Sequence, residues 1–267
     1  MIEFSNLVTA RLEFRQSADI FNRVMPKDNI ALVALLRHVP TGEDIVVANP
    51  HMTWDPAFVD VKLVQTALLM DELGRRYRRT LSSAAASATN GAAGGPGLAG
   101  GGNPSPPIVI CGDFNSLPGS AVYQYVAHGH LAKGHVDLAG RSYGPYTDED
   151  LHHRFRLASA YAALGELPFT NRTPGFTGTI DFVWYTTDRL SVCGVLGPVP
   201  QDYSDRIVGM PNAHFPSDHV SLCVELAFLA KPGAGAGGKG DDREAPRGAS
   251  SSMPWAQAFA ASNQPPP

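Results

Sequence analysis

The 267 residues hold only three cysteines, Cys111, Cys193 and Cys223, an odd number with no CxxC spacing. That excludes a disulfide scaffold and the usual thiolate zinc sites. Each cysteine sits in or beside a β-rich run, so buried free thiols in a reducing compartment are expected. Positive charge is not in excess either. Twenty-one Lys and Arg stand against 25 Asp and Glu, a net charge of −4, so no broad cationic footprint marks a tight, non-specific nucleic-acid binder. A site that grips a few phosphates through metal ions stays compatible with that balance. The longest apolar stretch, near Ser221 to Ala230, is too short to cross a bilayer. Met1-Ile2-Glu3-Phe4 lacks a basic leader and an apolar h-region, so no secretory signal is expected. These absences predict a soluble protein of the cytoplasm, with the nucleus as a second location and no membrane partner.

What is present suffices for one sizeable core: 43% of residues are hydrophobic, and a second folded domain is not needed. Asp19 to Val24 reads as a short helix, Pro26 to Asn29 as a turn, and residues 30 to 49 as a β-hairpin bent at Thr41-Gly42-Glu43-Asp44. Leu63, Ala67, Met70, Leu73 and Tyr77 then recur at helical spacing and give one apolar face. Arg75, Arg76, Arg78 and Arg79 follow as a solvated basic helix end, suited to the negative pole of the dipole. Residues 82–107 are built of Ala, Gly, Ser and Pro and read as a disordered insertion. Order is expected again from IVICGDFN, through a short helix containing Val122, Tyr125 and Val126 closed near Gly129, and a short piece from Phe155 to Leu164. The strands TIDFVWY and HVSLCVELAFL complete a domain over residues 1–230. Residues 231–267 read as a disordered tail in which Trp255 and Phe259 are spaced i, i+4 by chance.

Four β runs carry acids, amides or imidazoles at or near an end. IVVAN leads into His51, ICGDFNS carries Asp113 and Asn115, TIDFVWY carries Asp181, and FPSDHVSL carries Asp218 and His219. Any one of these is cheap, since Asp and Asn also form turns after strands. Together they are the donor set that metal-assisted attack on a phosphodiester requires. Adjacent strand ends can share one rim, so Asp113, Asn115, Asp181, Asp218, His219 and His51 are expected around a single cavity, in an α/β sandwich with its site along one edge.

NPHMTWDPAFVDVKLVQTALLMDEL, CGDFNSLP, FTNRTPGFTGTIDFVWY, LGPVP and FPSDHVSL, in this order, resemble the catalytic domain of carbon catabolite repressor protein 4-type deadenylases, within the endonuclease/exonuclease/phosphatase superfamily. The resemblance covers most of residues 1–81 and 106–230, and the WDP-x-x-x-DVKLVQ block is its specific part. It implies a two-sheet α/β sandwich of the DNase I-like type and Mg²⁺-dependent removal of 3′ poly(A) from messenger RNA, with release of 5′-AMP. By resemblance Asp113 holds Mg²⁺ and orients or deprotonates water, and Asp218 is a metal ligand or a brace. Asn115 bonds phosphate and water, while His219, steadied by Asp181, donates to the phosphate oxygen. His51 contacts the phosphate, Asn171 hydrogen-bonds substrate, and Phe176 and Pro56 sandwich the adenine. Two Mg²⁺ ions and single-stranded poly(A) RNA are the implied cofactor and substrate. Scaffold subunits of a deadenylase complex are implied partners, although the leucine-rich repeats some members use for docking have no match here. The family's upstream strands, with an Asn and a Glu ligand for Mg²⁺, also have no match, so the sandwich is expected to be incomplete at its N-terminus. Little activity and marginal stability are therefore expected of the chain expressed alone. Two alternatives are another phosphodiesterase or phosphatase of the superfamily and a non-catalytic RNA- or partner-binding remnant.

Overall fold

The computed structural model describes residues 2–3, 19–89 and 106–229, with side chains in 19–76 and 106–229. Expectations for the side chains of Tyr77, Arg78 and Arg79, for residues 90–105 and for the 231–267 tail with Trp255 and Phe259 lie outside the described residues. Ile20–Val24 forms a single helical turn, and the described residues include twelve strands. They are β1 (Ile2–Glu3), β2 (Ile30–His38), β3 (Glu43–Pro50), β4 (Ile108–Asp113), β5 (His130–Leu131) and β6 (Leu151–His152), then β7 (Leu157–Ser159), β8 (Asn171–Thr173), β9 (Phe176–Gly178), β10 (Asp181–Thr186), β11 (Leu190–Val195) and β12 (Val224–Phe228). The principal sheet has the order β1-β2-β3-β4-β10-β7, and β5–β6, β8–β9 and β11–β12 are two-stranded pairs.

The expected hairpin is present: β2 and β3 pair antiparallel from Ala31↔Pro50 to His38↔Glu43. β3 and β4 run parallel, which requires a crossover, and the long helix Val59–Thr89 begins it. Its entry is prepared locally. The Asp55 carboxylate accepts from the Ala57 amide at 2.8 Å, and Pro56 opens the turn Pro56–Phe58 where its missing N–H costs nothing. Leu63, Ala67, Met70 and Leu73 bury the predicted apolar stripe in one core with Val46, Ala48, Ile108, Ile110, Phe182 and Trp184 of the sheet. The helix Ala121–His128 is capped by Ser120, whose hydroxyl accepts from the Tyr123 amide at 3.3 Å. It closes at Gly129, whose φ of 71° is the left-handed conformation glycine adopts without penalty. No described helix is long and apolar enough to cross a membrane.

Several expectations are corrected. The basic run does not end the long helix. Arg75 and Arg76 sit inside it and pair with Glu72 at 3.2 and 2.9 Å, one and two residues beyond buried Gly74. The helix continues to Thr89, into the stretch assigned to the insertion, where alanine has high helix propensity. Cys193 and Cys223 are exposed and only Cys111 is partly shielded, all three as free thiols; Cys193 falls in the β-bulge between Val192 and Gly194. The last strand starts at Val224 rather than at His219. Its leading residues are drawn away by hairpin β8–β9, through the His219–Asn171 bridge and the Val220 amide bonded to Thr170.

The sheet face opposite the helices is covered unevenly. Ala160, Tyr161 and Leu167, with Val192, Val195, Leu222 and Val224, pack over Val183 and Tyr185 at the β10 side. On β2, Leu32 and Leu36 stay 54% and 51% exposed. Exposed leucines on one face of a strand invite association. The double variant Leu32→Thr/Leu36→Thr is expected to aggregate less and bind less ANS than the parent. Its stability is expected to stay within about 0.5 kcal/mol of the parent, as for substitutions of exposed residues; urea unfolding and light scattering check both.

Candidate active site

Asp113 is the last residue of β4, and the sheet delivers it to a defined place. β4 and β10 pair antiparallel with Asp113 directly opposite Asp181, and beyond the end of β3 His51 bridges to Asp113 from the other side. The approach of β4 to β3 depends on Gly112, since a methyl group there would overlap the Pro50 carbonyl oxygen. Phe114, next in sequence, is fully buried and stands edge-on to Phe182 and Trp184, which anchors the strand end. Asn115 then turns the chain with φ 48°, a conformation that asparagine tolerates better than most side chains. Its amide N–H donates to Asp113 Oδ1 at 2.7 Å, and its side-chain Nδ2 donates to Asp113 Oδ2 at 3.2 Å and to the Met52 carbonyl at 3.0 Å. Each residue of Gly-Asp-Phe-Asn thus has a separate physical job.

His219 arrives from far along the chain. Hairpin β8–β9 holds it: Asn171 bridges to His219, the Arg172 amide donates to the Asp218 carbonyl at 3.0 Å, and Asn171 Nδ2 donates to the Asp218 carboxylate at 3.1 Å. Asp181 Oδ2 lies 2.8 Å from His219 Nδ1, while His219 Nε2 points toward Asp113 Oδ2 at 3.9 Å. His51 Nε2 is 3.7 Å from the same oxygen. Asp113, Asn115, Asp181, His219 and His51 therefore lie together. Asp218 adjoins the group through the backbone, with its carboxylate engaged by Asn171. A cleft of about 370 Å³, lined by residues such as Met70, Asp71, His152 and Phe155, includes none of them. Phe176 is 41% exposed and lies against Gly178, where even a methyl group would meet its ring and Leu117. Pro56 is exposed at the start of the helical turn.

The charges are in tension. Burial, then the neighbouring Asp181 carboxylate, pushes Asp113 up to about 6 against the opposing pull of the Asn115 amide and the two imidazoles. Burial works against the charged form of His219, but the Asp181 hydrogen bond and the fields of Asp181, Asp113 and Asp218 lift its pKa overall. Asp113, Asp181 and His219 present one ligand atom each within 4.8 Å of one another. Two close carboxylates, one of them held above its usual range by burial and by its neighbour, are the electrostatic sign of a place for a cation, and hard divalent ions prefer such oxygens. The residues fit a metal.

Sequence reasoning missed Lys62. Its side chain is only 4% exposed, its Nζ donates to the Asn115 carbonyl at 2.8 Å, and burial lowers its pKa while Asp113 and Asp55 oppose that shift. A lysine between the apolar residues Val61 and Leu63 was the available signal. Behind it, Gln65 accepts from the Thr53 amide at 3.0 Å and donates to Asn29 Oδ1 at 3.2 Å, while Asn29 Nδ2 bonds the His51 carbonyl at 3.1 Å. This network sets the loop that carries His51.

The family model "Endonuclease/Exonuclease/phosphatase family" matches residues 31–219, the span that holds every residue of this cluster. The chain belongs to that family. Among curated proteins it is 46% identical over 232 residues to the CCR4-Not complex 3′-5′-exoribonuclease subunit Ccr4 of Yarrowia lipolytica, covering 87% of this chain and 33% of that protein. It is 45% identical over 234 residues to the subunit of the same name from Mycosarcoma maydis, covering 85% and 34%. The chain thus spans about a third of the length of these curated relatives. Among solved structures, ANGEL2, a 2′,3′-cyclic phosphatase in complex with adenosine-2′,3′-vanadate, aligns with a TM-score of 0.56 at 26% identity, over 85% of this chain and 64% of that one. The endonuclease/exonuclease/phosphatase fold expected from the sequence is therefore the fold observed.

The family site carries a stability cost. The unfolded Asp113 carboxyl titrates near 3.8 and the folded one near 6, so the folded state binds the proton more tightly between those values. Its contribution to stability is full below about pH 4 and is lost as pH rises through 6. Asp113→Asn keeps the acceptor for the Asn115 amide and removes the charge. In EDTA at pH 8 it is expected to be more stable than the parent by on the order of 2–3 kcal/mol, with the difference gone below about pH 4. Urea unfolding across pH checks this.

Proposed function

We propose that this chain carries the phosphate-activating side of a Mg²⁺-dependent 3′-5′ exoribonuclease that shortens poly(A) and releases 5′-AMP. The observation that carries the reading is the Asp113–Asp181–His219 cluster with Asn115 at its edge, in a chain about 45% identical to exoribonuclease subunits. Asp113 supplies the carboxylate that would hold Mg²⁺, with Asp218 close behind. The ion, when bound, would supply charge neutralisation at the phosphate and a more acidic water. Asn115, fixed by Met52 and Asp113, orients a phosphate oxygen or the water. The Asp181 hydrogen bond sets the imidazole so that His219 Nε2 faces the reacting phosphate and donates to the oxygen where charge accumulates. His51 adds a second imidazole on the open side. Lys62 holds the Asn115 turn and balances the buried negative charge.

Adenine recognition is assigned to exposed Phe176 with Pro56 as the opposing surface, and Asn171 ties that hairpin to the catalytic histidine. Phe176→Ala is expected to lower discrimination for oligo(A) over oligo(U) by about 1–3 kcal/mol, the usual value of one stacked base. Equal losses of kcat/KM on both substrates would assign Phe176 to packing alone. Scaffold subunits of a CCR4-Not-type complex are proposed partners, because the curated relatives are named as subunits of that complex.

The test is shortening of 5′-labelled oligo(A) by protein carrying this chain, with and without Mg²⁺, and with Asp113→Ala in parallel. Adenosine 2′,3′-cyclic phosphate forms the second arm, since the aligned ANGEL2 is described as a 2′,3′-cyclic phosphatase. Mg²⁺- and Asp113-dependent release of 5′-AMP supports the proposal; turnover of the cyclic phosphate with intact oligo(A) rejects it.

A further inference from the structure

A second group of metal-type ligands stands away from the Asp113 cluster, on the outer face of the short ladder β5–β6. His130 is paired with His152 in register and Leu131 with Leu151. Alternation along the strands sends the two leucines into the core, where both are buried, and leaves the two imidazoles together outside. The ladder is fixed at both margins: the His153 amide donates to the Gly129 carbonyl at 2.9 Å, and the Tyr125 hydroxyl donates to the His152 carbonyl at 3.3 Å. The imidazole centroids are 4.8 Å apart, with 39° between the ring planes. Asp150, immediately before β6, completes the group. Its Oδ1 accepts from the Lys133 amide at 2.9 Å, and its Oδ2 lies 3.2 Å from His130 Nε2.

We propose that His130, Asp150 and His152 form a binding site for a borderline divalent ion of the Zn²⁺ class, distinct from the Mg²⁺ chemistry of the Asp113 cluster. One ligand atom from each residue already lies within 4.8 Å of the others. Two ligands about 2.0–2.1 Å from a tetrahedral zinc stand roughly 3.3 Å apart, and the His130–Asp150 separation of 3.2 Å meets that spacing. Two imidazoles and one carboxylate favour Zn²⁺ over Mg²⁺, which takes an all-oxygen shell. The Lys133 amide on the far carboxylate oxygen is the kind of outer bond that holds a metal ligand in orientation. A bound ion would replace the proton shared between His130 and Asp150 and keep a position open to solvent.

Its consequence follows from where the ligands sit in the chain. His130 precedes, and Asp150 and His152 follow, the excursion 132–149, which carries Tyr143 and Tyr146 into the core. An ion there clips both ends of that excursion together.

The experiment is a zinc titration of the EDTA-stripped 267-residue chain against a chromophoric competitor, in an Asp113→Asn background so that ions at the other cluster do not count. One equivalent of zinc is expected, undisplaced by excess Mg²⁺. His130→Asn and His152→Asn are each expected to weaken binding by more than the roughly 10–100-fold that loss of an outer bond costs. Exposed His128→Asn leaves binding unchanged. Zinc is also expected to slow proteolysis within residues 132–149 in the parent and not in the two ligand variants. Equal zinc affinity in parent and ligand variants, or no binding until zinc is millimolar, would overturn the site. Circular dichroism of each variant separates lost ligands from lost fold.

Discussion

His219→Ala is expected to lower kcat on oligo(A) by on the order of 10²–10³-fold, as loss of one donor to developing charge does. KM and the melting temperature are expected to change little. The imidazole makes one close bond within the protein, to Asp181 at 2.8 Å, and its other nitrogen faces the reacting space. Its role is therefore concentrated in the transition state. Asp181→Asn is expected to give a smaller loss of the same kind, since the imidazole keeps its place but loses the carboxylate that favours its protonated form. The pH profile is the sharper readout. In Asp181→Asn the limb assigned to His219 moves to lower pH, because the Asp181 hydrogen bond is what lifts that pKa against burial. A rate in His219→Ala within a few-fold of the parent would remove His219 from the mechanism.

The second large effect is expected from Gly112→Ala. The added methyl overlaps the Pro50 carbonyl oxygen, a backbone atom held in the β2–β3 ladder through the Ala31↔Pro50 pair. Neither strand can yield without breaking hydrogen bonds, so stability is expected to fall by about 1–3 kcal/mol, the usual cost of overpacking. The functional cost is larger. Asp113 is the next residue, and a shift of its strand end moves the carboxylate relative to Asp181, His51 and His219 together. A loss of about 100-fold in kcat at temperatures where the variant is fully folded is the expected result, because a misplacement near 1 Å has that effect. Unfolding curves and initial rates on the same preparation separate the two losses.

Much of the site was legible because its residues break a local pattern. Asp113 and Asp181 end or begin apolar strands, His51 follows one, and Asn115 sits where a chain must turn. Such positions have no reason to be polar in a core unless something outside the core needs them. The β2–β3 hairpin and the apolar stripe from Leu63 to Leu73 were legible for the complementary reason: period and turn composition are local. What the sequence left hidden depends on contacts across the chain. Lys62 sits among buried neighbours, and its use appears only when Asn115, fifty-three positions away, supplies the carbonyl. Gly112 looks like any turn glycine until β3 is laid beside β4. Cys193 and Cys223 lie in β-rich sequence, and only the structure shows them exposed, at the bulge in β11 and just before the late start of β12. The long helix outran its expected end because alanine-rich sequence reads equally as linker or as helix.

The direct opposition of Asp113 and Asp181 has a bearing on which changes in chain length the protein tolerates. Their alignment is set by five successive pairs, from Asp181↔Asp113 to Tyr185↔Val109, and not by the length of anything that joins them. Residues can be gained or lost between β4 and β10, or between the long helix and β4, without moving one carboxylate relative to the other. The Ala-, Gly- and Ser-rich stretch before Ile108 is an instance, since it adds sequence and leaves Val46↔Ile108 in register. A single residue inserted within β4 or β10 does the opposite. It turns the side chain beyond it to the other face of the sheet and sets Asp113 against an apolar partner. The freedom to vary lies in the connections, and the ladder is where the chemistry is kept in step.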